Sequence, residues 1–212
     1  MSVSGNNADS VVVLDFETTG LSPYQGDRAI EIGAVRIENG KIADSFQALM
    51  NPGIRVSGFI ESYTGITNTM LQNASSCEAV MDAFYSFIGN SNLVAHNASF
   101  DSKFLQAEFG RINRTASGKF ACSMLISRRV YQRAPDHKLG TLVRYNDLPN
   151  DGTCHRALAD SQMTAHLWLA MIAEIKSNHP FSHVPFSVMQ KLSRTDKKSA
   201  AGYLAYEAIK QQ

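Results

Sequence analysis

The run Val11-Val12-Val13-Leu14-Asp15-Phe16-Glu17 constrains this chain more than any other segment. Its continuous, β-branched start predicts a strand buried on both faces at the centre of a sheet. Two carboxylates then close it. The two-residue period of a strand puts Asp15 and Glu17 on one face and turns Phe16 to the other. Like charges side by side at the end of an apolar strand cost on the order of several kcal/mol unless something compensates them. Neither Lys nor Arg is adjacent in the sequence. A divalent cation is the simplest compensator, and hard oxygen ligands favour Mg²⁺ or Mn²⁺ over zinc. The plainer alternative is a capping Asp and a surface Glu.

The alternating run Ala29 to Glu38, the dipeptide Asn39-Gly40 and the run Ile42 to Met50 predict a hairpin that extends the first strand into a three-stranded meander. From Cys77 to Ile88 the apolar spacing becomes helical, with Gly89 at the capping position. A short strand over Leu93 to His96 leads into a helix capped by Ser99 and running to about Gly110. Further helices are predicted at about Ser123 to Arg133, Lys138 to Asn146 and Arg156 to Lys176. Strands alternating with helices after a meander indicate a three-layer α/β domain with a mixed sheet.

Two more carboxylates fall at chemically suggestive places. Asp101 lies in the first turn of the helix after Leu93 to Ala95, beside His96 and Asn97. An acid there satisfies the helix dipole in any protein, but strand-to-helix junctions of this kind also line ligand crevices. Asp160 follows His155 by five residues. That spacing is about 140° apart on a helix, so His155 belongs to the loop before the helix and Asp160 to its first turns.

In this order the motifs resemble the DEDDh, or DnaQ-like, 3′→5′ exonucleases. Asp15-Phe16-Glu17-Thr18-Thr19-Gly20, Ile30-Glu31-Ile32-Gly33 and Tyr63-Thr64-Gly65-Ile66-Thr67 match the first motif and its flanks. His96-Asn97 through Phe100-Asp101 matches the second, and His155-Arg156-Ala157-Leu158-Ala159-Asp160 the third. The likeness spans roughly residues 10–175 and includes the proofreading epsilon subunit of bacterial DNA polymerase III and its stand-alone relatives. It implies a ribonuclease H-like α/β/α fold. Asp15, Glu17, Asp101 and Asp160 would hold two Mg²⁺ or Mn²⁺ ions at the scissile phosphate, and His155 would take the proton of the attacking water. Phe16, Thr18, Leu21, Ile66, Asn97 and Phe100 would surround the terminal nucleotide, although core packing accounts equally well for Leu21 and Ile66. Glu31 has no role in this reading.

The resemblance implies removal of nucleoside 5′-monophosphates from single-stranded DNA 3′ ends. An RNA exonuclease like ribonuclease T or oligoribonuclease is the alternative, and a catalytically silent binding subunit a third. The epsilon subunit has a histidine where this chain has Thr64, and its polymerase-tethering segment has no counterpart in residues 177–212. An independent nuclease, or one with a different partner, is therefore favoured over a replicase proofreader. Residues 1–176 are read as the exonuclease domain. Residues 177–212, dotted with Lys and Arg and helical over about Ser199 to Lys210, are read as an extension that could meet a polymerase, a second copy or phosphates.

Composition narrows the rest. A 212-residue chain with 44% hydrophobic residues suits one full core. A net charge of +1 suggests that few phosphates are gripped at once. Cys77, Cys122 and Cys154 fit no metal or redox spacing, and no leader or membrane span is legible, so a soluble, cytoplasmic protein is expected.

Overall fold

The computed structural model describes residues 7–150 and 156–211. Strands β1 (Val11–Thr18), β2 (Ala29–Glu38) and β3 (Lys41–Asn51) form the antiparallel meander. Its second turn is the predicted one: Asn39 and Gly40 adopt φ of 51° and 77°, the left-handed pair that a two-residue turn between twisted strands requires. Beyond it, β4 (Ser75–Ser76) edges β3, while β5 (Leu93–Ala95) and β6 (Phe120–Cys122) continue the sheet in parallel beside β1. The order β4-β3-β2-β1-β5-β6 leaves β1 central, as its apolar sequence demands.

Helices cover both faces. Val12, Leu14 and Phe16 pack with Phe84 of α3 (Cys77–Ile88) and Phe104 and Phe109 of α4 (Ser99–Arg111). Val11 and Val13 pack on the other face with Trp168 and Met171 of α7 (Ala157–Asn178). Fully burying each such side chain contributes about 1.5–3 kcal/mol, so the strand's alternation fixes which residues meet which helix. The same second core takes in Ile126 of α5 (Ser123–Val130) and Leu142 of α6 (Leu139–Tyr145).

The chain after α7 returns to that core. Phe186 and Met189 of α8 (Phe186–Leu192) and Leu204 of α9 (Ala200–Ile209) are buried in it. Trp168 fastens the arrangement, donating from Nε1 to the Ala8 carbonyl at 2.7 Å with its ring 6.2 Å from Phe186. Ala8 in turn donates its N–H to the Val184 carbonyl at 2.8 Å. No helix among the described residues is long and apolar enough to cross a membrane.

Sequence periodicity missed α1 (Gly58–Thr64), α2 (Asn68–Gln72), β4, β6 and α8. Each is too short to show a repeat, and α1 and α2 are defined instead by their N-caps, Ser57 and Thr67. Ser99 is not a cap. It is the first residue of α4, and Ala98 stands at the cap without a side-chain bond. Asn97, just before it, takes a left-handed φ of 68°.

Candidate active site

β1 ends in a cleft of about 810 Å³ lined by Asp15, Glu17, Asp101 and Asp160 among others. Three elements bring these carboxylates together. In the antiparallel register Asp15 faces Gly33 and Glu17 faces Glu31, so all four positions share the sheet face that α7 covers. A carboxylate oxygen from each of Asp15, Glu17 and Asp160 lies within 4.8 Å of the others. Asp101 arrives from the opposite layer on the first turn of α4, where it is only 2% exposed. Its Oδ1 accepts the Phe16 N–H at 3.2 Å, which ties the helix to the strand between the two other acids. A solvated dipole partner would be exposed, so the bland explanation of Asp101 fails.

The electrostatics are those of a site short of positive charge. Burial first, then Asp101, Asp160, Glu17 and Glu31, hold Asp15 well above the ordinary carboxylate range. Burial and the Asp160, Glu31 and Asp101 charges push Glu17 up to about 8, against the opposing pull of Arg156. Burial pushes Asp101 up to about 7 although two backbone N–H groups favour its ionised form. Such clustering of raised carboxylates is costly for a protein alone and favourable for one that receives divalent cations.

Glu31, which had no assigned role, explains how Asp160 reaches this cluster. It is fully buried, accepts from Arg156 at 2.8 Å and from the Ala157 N–H at 3.1 Å, and receives the Gln47 amide at 2.9 Å. It thus pins the first residues of α7 to β2. Gly33 permits the approach: a Cβ there would stand 2.1 Å from the Ala157 carbonyl carbon and the Leu158 nitrogen. Ser161 completes the contact by donating to the Gly33 carbonyl at 2.9 Å. Gly33→Ala should therefore lower Tm by roughly 5–10 °C, equivalent to about 2–3 kcal/mol of overpacking. It should also slow the enzyme by displacing Asp160. Wild-type melting and wild-type turnover together would show that this contact does not set the helix position.

The other expected residues divide. Phe16, Thr18, Leu21, Asn97 and Phe100 line the cleft. Leu21 is 83% exposed, so it is not core. Its loop is held by Asp27, whose carboxylate accepts the Ser22 N–H at 2.9 Å and the Thr19 hydroxyl at 3.2 Å. Ile66 is the correction. It is fully buried with Ile30, Val56 and Leu71 and does not line the cleft, so at this position core packing wins. His155 lies outside the described residues. His96 reaches the cleft but serves as a strut, with Nδ1 2.9 Å from Ser123 Oγ and Nε2 3.0 Å from the His137 carbonyl. Burial lowers its pKa to about 4, which keeps it neutral.

Phe59 and Tyr63 were missed with the helix that carries them. They line the same cleft, 72% and 50% exposed, with rings 5.8 Å apart and 13° from parallel. The four-residue spacing of two aromatics between Ser57 and Gly65 was the available signal.

The RNase_T family model, described as an exonuclease, matches residues 12–168. A PolC-type DNA polymerase III of Caldanaerobacter subterraneus is 38% identical over 165 residues, covering 78% of this chain and 12% of the relative. The 3′-5′ exonuclease DinG of Bacillus subtilis is 33% identical over 192 residues, covering 89% of this chain and 20% of the relative. The chain thus spans a small fraction of these relatives' lengths. Among solved structures, exonuclease X in complex with 5′ overhanging duplex DNA aligns with a TM-score of 0.68 at 25% identity, covering 86% of this chain and 99% of that one. The nuclease domain of 3′hExo, a DEDDh family member bound to rAMP, shares the fold with a TM-score of 0.68 at 23% identity, covering 78% and 92%.

Proposed function

Since the chain belongs to the DnaQ-like 3′→5′ exonuclease family, we propose that it hydrolyses single-stranded DNA from the 3′ end, releasing nucleoside 5′-monophosphates with the help of two Mg²⁺ or Mn²⁺ ions. The observation that carries this reading is the convergence of Asp15, Glu17 and Asp160 within 4.8 Å, with buried Asp101 bonded to the intervening Phe16 amide.

The donor set fits hard divalent cations. Four carboxylates offer oxygen only, no thiolate lines the cleft among the described residues, and burial and mutual repulsion raise the pKa values of Asp15, Glu17 and Asp101. Asp15, Glu17, Asp101 and Asp160 are the proposed ligands. Bound there, the ions would supply Lewis acidity for the phosphate and lower the pKa of water. Everything else falls to the chain. Glu31 and Gly33 orient α7 so that Asp160 faces Asp15. Leu21, Asn97 and Phe100 would flank the terminal nucleoside, and the Phe59–Tyr63 pair would stack on a base. Such contacts tolerate any sequence because every base has a π-face. His155 would accept the water proton.

DNA is preferred over RNA on the Thr18-Thr19-Gly20 run after Glu17. A cytoplasmic role in end-trimming, repair or proofreading suits the same chemistry, either alone or within a larger assembly. Matched 5′-labelled DNA and RNA oligonucleotides, incubated with Mg²⁺, should yield a ladder shortening from the 3′ end, faster for DNA. Internal cuts, or no shortening of either strand, would reject the assignment; faster RNA digestion would move it to the ribonuclease branch.

A further inference from the structure

The cleft is acidic, and a strand entering it needs its remaining phosphates held elsewhere. The cations that could do this are unevenly placed. Residues 128–138 and 194–198 contain seven of the chain's 20 Lys and Arg but only two of its 19 acids, Asp136 and Asp196. The fold joins these distant segments. Arg129 donates from Nε to the Thr195 carbonyl at 2.9 Å, and the Gln132 amide donates to the Lys197 carbonyl at 3.0 Å. Arg133, Lys138, Arg194, Lys197 and Lys198 are exposed, and none forms a salt bridge among the described residues. By contrast Arg28, Arg36, Arg114 and Arg156 are all paired.

The basic segments reach the edge of the cleft at Leu139, which lines it and directly follows Lys138. His96, another cleft residue, lies 3.0 Å from the His137 carbonyl one position earlier. Burial chiefly, then the Lys197 and Arg128 charges, hold the His137 imidazole below its ordinary pKa. Away from the cleft the surface borders a groove of about 580 Å³ lined by Arg129, Gln132, Arg133 and Tyr145, with Glu174 on its α7 wall. Tyr145 is 46% exposed there.

We propose that this strip, shared by α5, the loop before α6 and the segment between α8 and α9, carries the phosphates of the single strand upstream of the 3′-terminal nucleotide. The extension after α7 is then part of the substrate surface. A single strand needs only cations and an occasional ring along its way. A near-neutral chain gains local grip by segregating its charges, and the resulting field favours the strand over any acidic partner. The proposal rests on the exonuclease reading for its direction, since the cleft defines the 3′ end.

The test uses the full chain and a triple variant, Arg133→Gln, Lys197→Gln and Lys198→Gln, which touches no cleft residue. Binding of a labelled dT20 is followed by anisotropy in EDTA across 50–200 mM KCl. Each lost phosphate contact flattens the log–log salt slope by about 0.7, so the variant slope should be shallower by about 2 and its affinity roughly tenfold weaker at low salt. Digestion of dT3, which fills only the cleft, should be unchanged. An unaltered slope overturns the proposal, and so does an equal loss on dT20 and dT3, which would mean damage to the cleft itself. A steep wild-type slope that the variant flattens, with no digestion of either oligonucleotide by the wild type, would support the strip and reject the exonuclease.

Discussion

Asp101→Asn protein is expected to fold, to bind little Mn²⁺ and to leave a 5′-labelled oligonucleotide intact in Mg²⁺, a loss of roughly 10⁴-fold or more. The asparagine Oδ1 can still accept the Phe16 N–H, so the bond between α4 and β1 survives while the charge goes. Asp101→Ala removes both, and an unsatisfied buried N–H costs about 1–3 kcal/mol. Comparing the two separates ligand from strut. The metal-free proteins provide a second readout, with a definite sign. A carboxyl whose folded pKa is raised holds its proton longer in the fold than in the unfolded chain. Metal-free wild type should therefore lose stability as pH rises from about 4, the unfolded value, through about 7 for Asp101 and about 8 for Glu17. Asp101→Asn should lose less over that range and melt higher than wild type at pH 8 without metal. The stabilisation of wild type by Mn²⁺ should be larger at pH 8 than at pH 6, because binding must displace those protons. Strong residual digestion by Asp101→Asn would remove Asp101 from the ligand set.

How much of this was legible beforehand follows from the range over which each signal acts. β1, the Asn39-Gly40 hairpin and α3 announce themselves through local period and turn chemistry, and they stand where the residues put them. Asp15 and Glu17 share a face because strand geometry leaves no choice. The tertiary relations were hidden. Glu31 reads as an anomalous acid in an apolar strand until Arg156, 125 residues away, is seen beside it. Gly33 reads as a weak spot in the same strand until the α7 backbone is seen against it. Ile66 and Leu21, both apolar and both near motifs, were indistinguishable by type, yet one is fully buried and the other 83% exposed. Only long-range packing separates them. The same holds for the basic strip, whose two halves lie some sixty residues apart in the chain and meet through two side-chain bonds to backbone.

His155→Ala should lower kcat by roughly 10²–10⁴ while leaving the fold and the Mn²⁺-induced rise in Tm intact. No other group described in the cleft is suited to the role of base. The four cleft carboxylates are proposed metal ligands, and a carboxylate spending its lone pairs on a cation is a poor base. His96 is nearest in type, but its two ring nitrogens face Ser123 and the His137 carbonyl, and its low pKa leaves little basicity. His137 directs Nε2 to the Tyr131 carbonyl at 3.3 Å. His155 immediately precedes Arg156, whose backbone N–H donates to Asp160 Oδ2 at 3.2 Å and whose guanidinium is held by Glu31. A histidine with a reference pKa near 6.5 is free to accept a proton at neutral pH and to release it before the next turnover. The wild-type rate should therefore fall on the acid side as the imidazole charges, and the variant should lose that acid limb along with its turnover. A loss of kcat with the limb retained would assign the pH dependence to the metal ligands instead. Turnover within a few fold of wild type would remove His155 from the chemistry altogether.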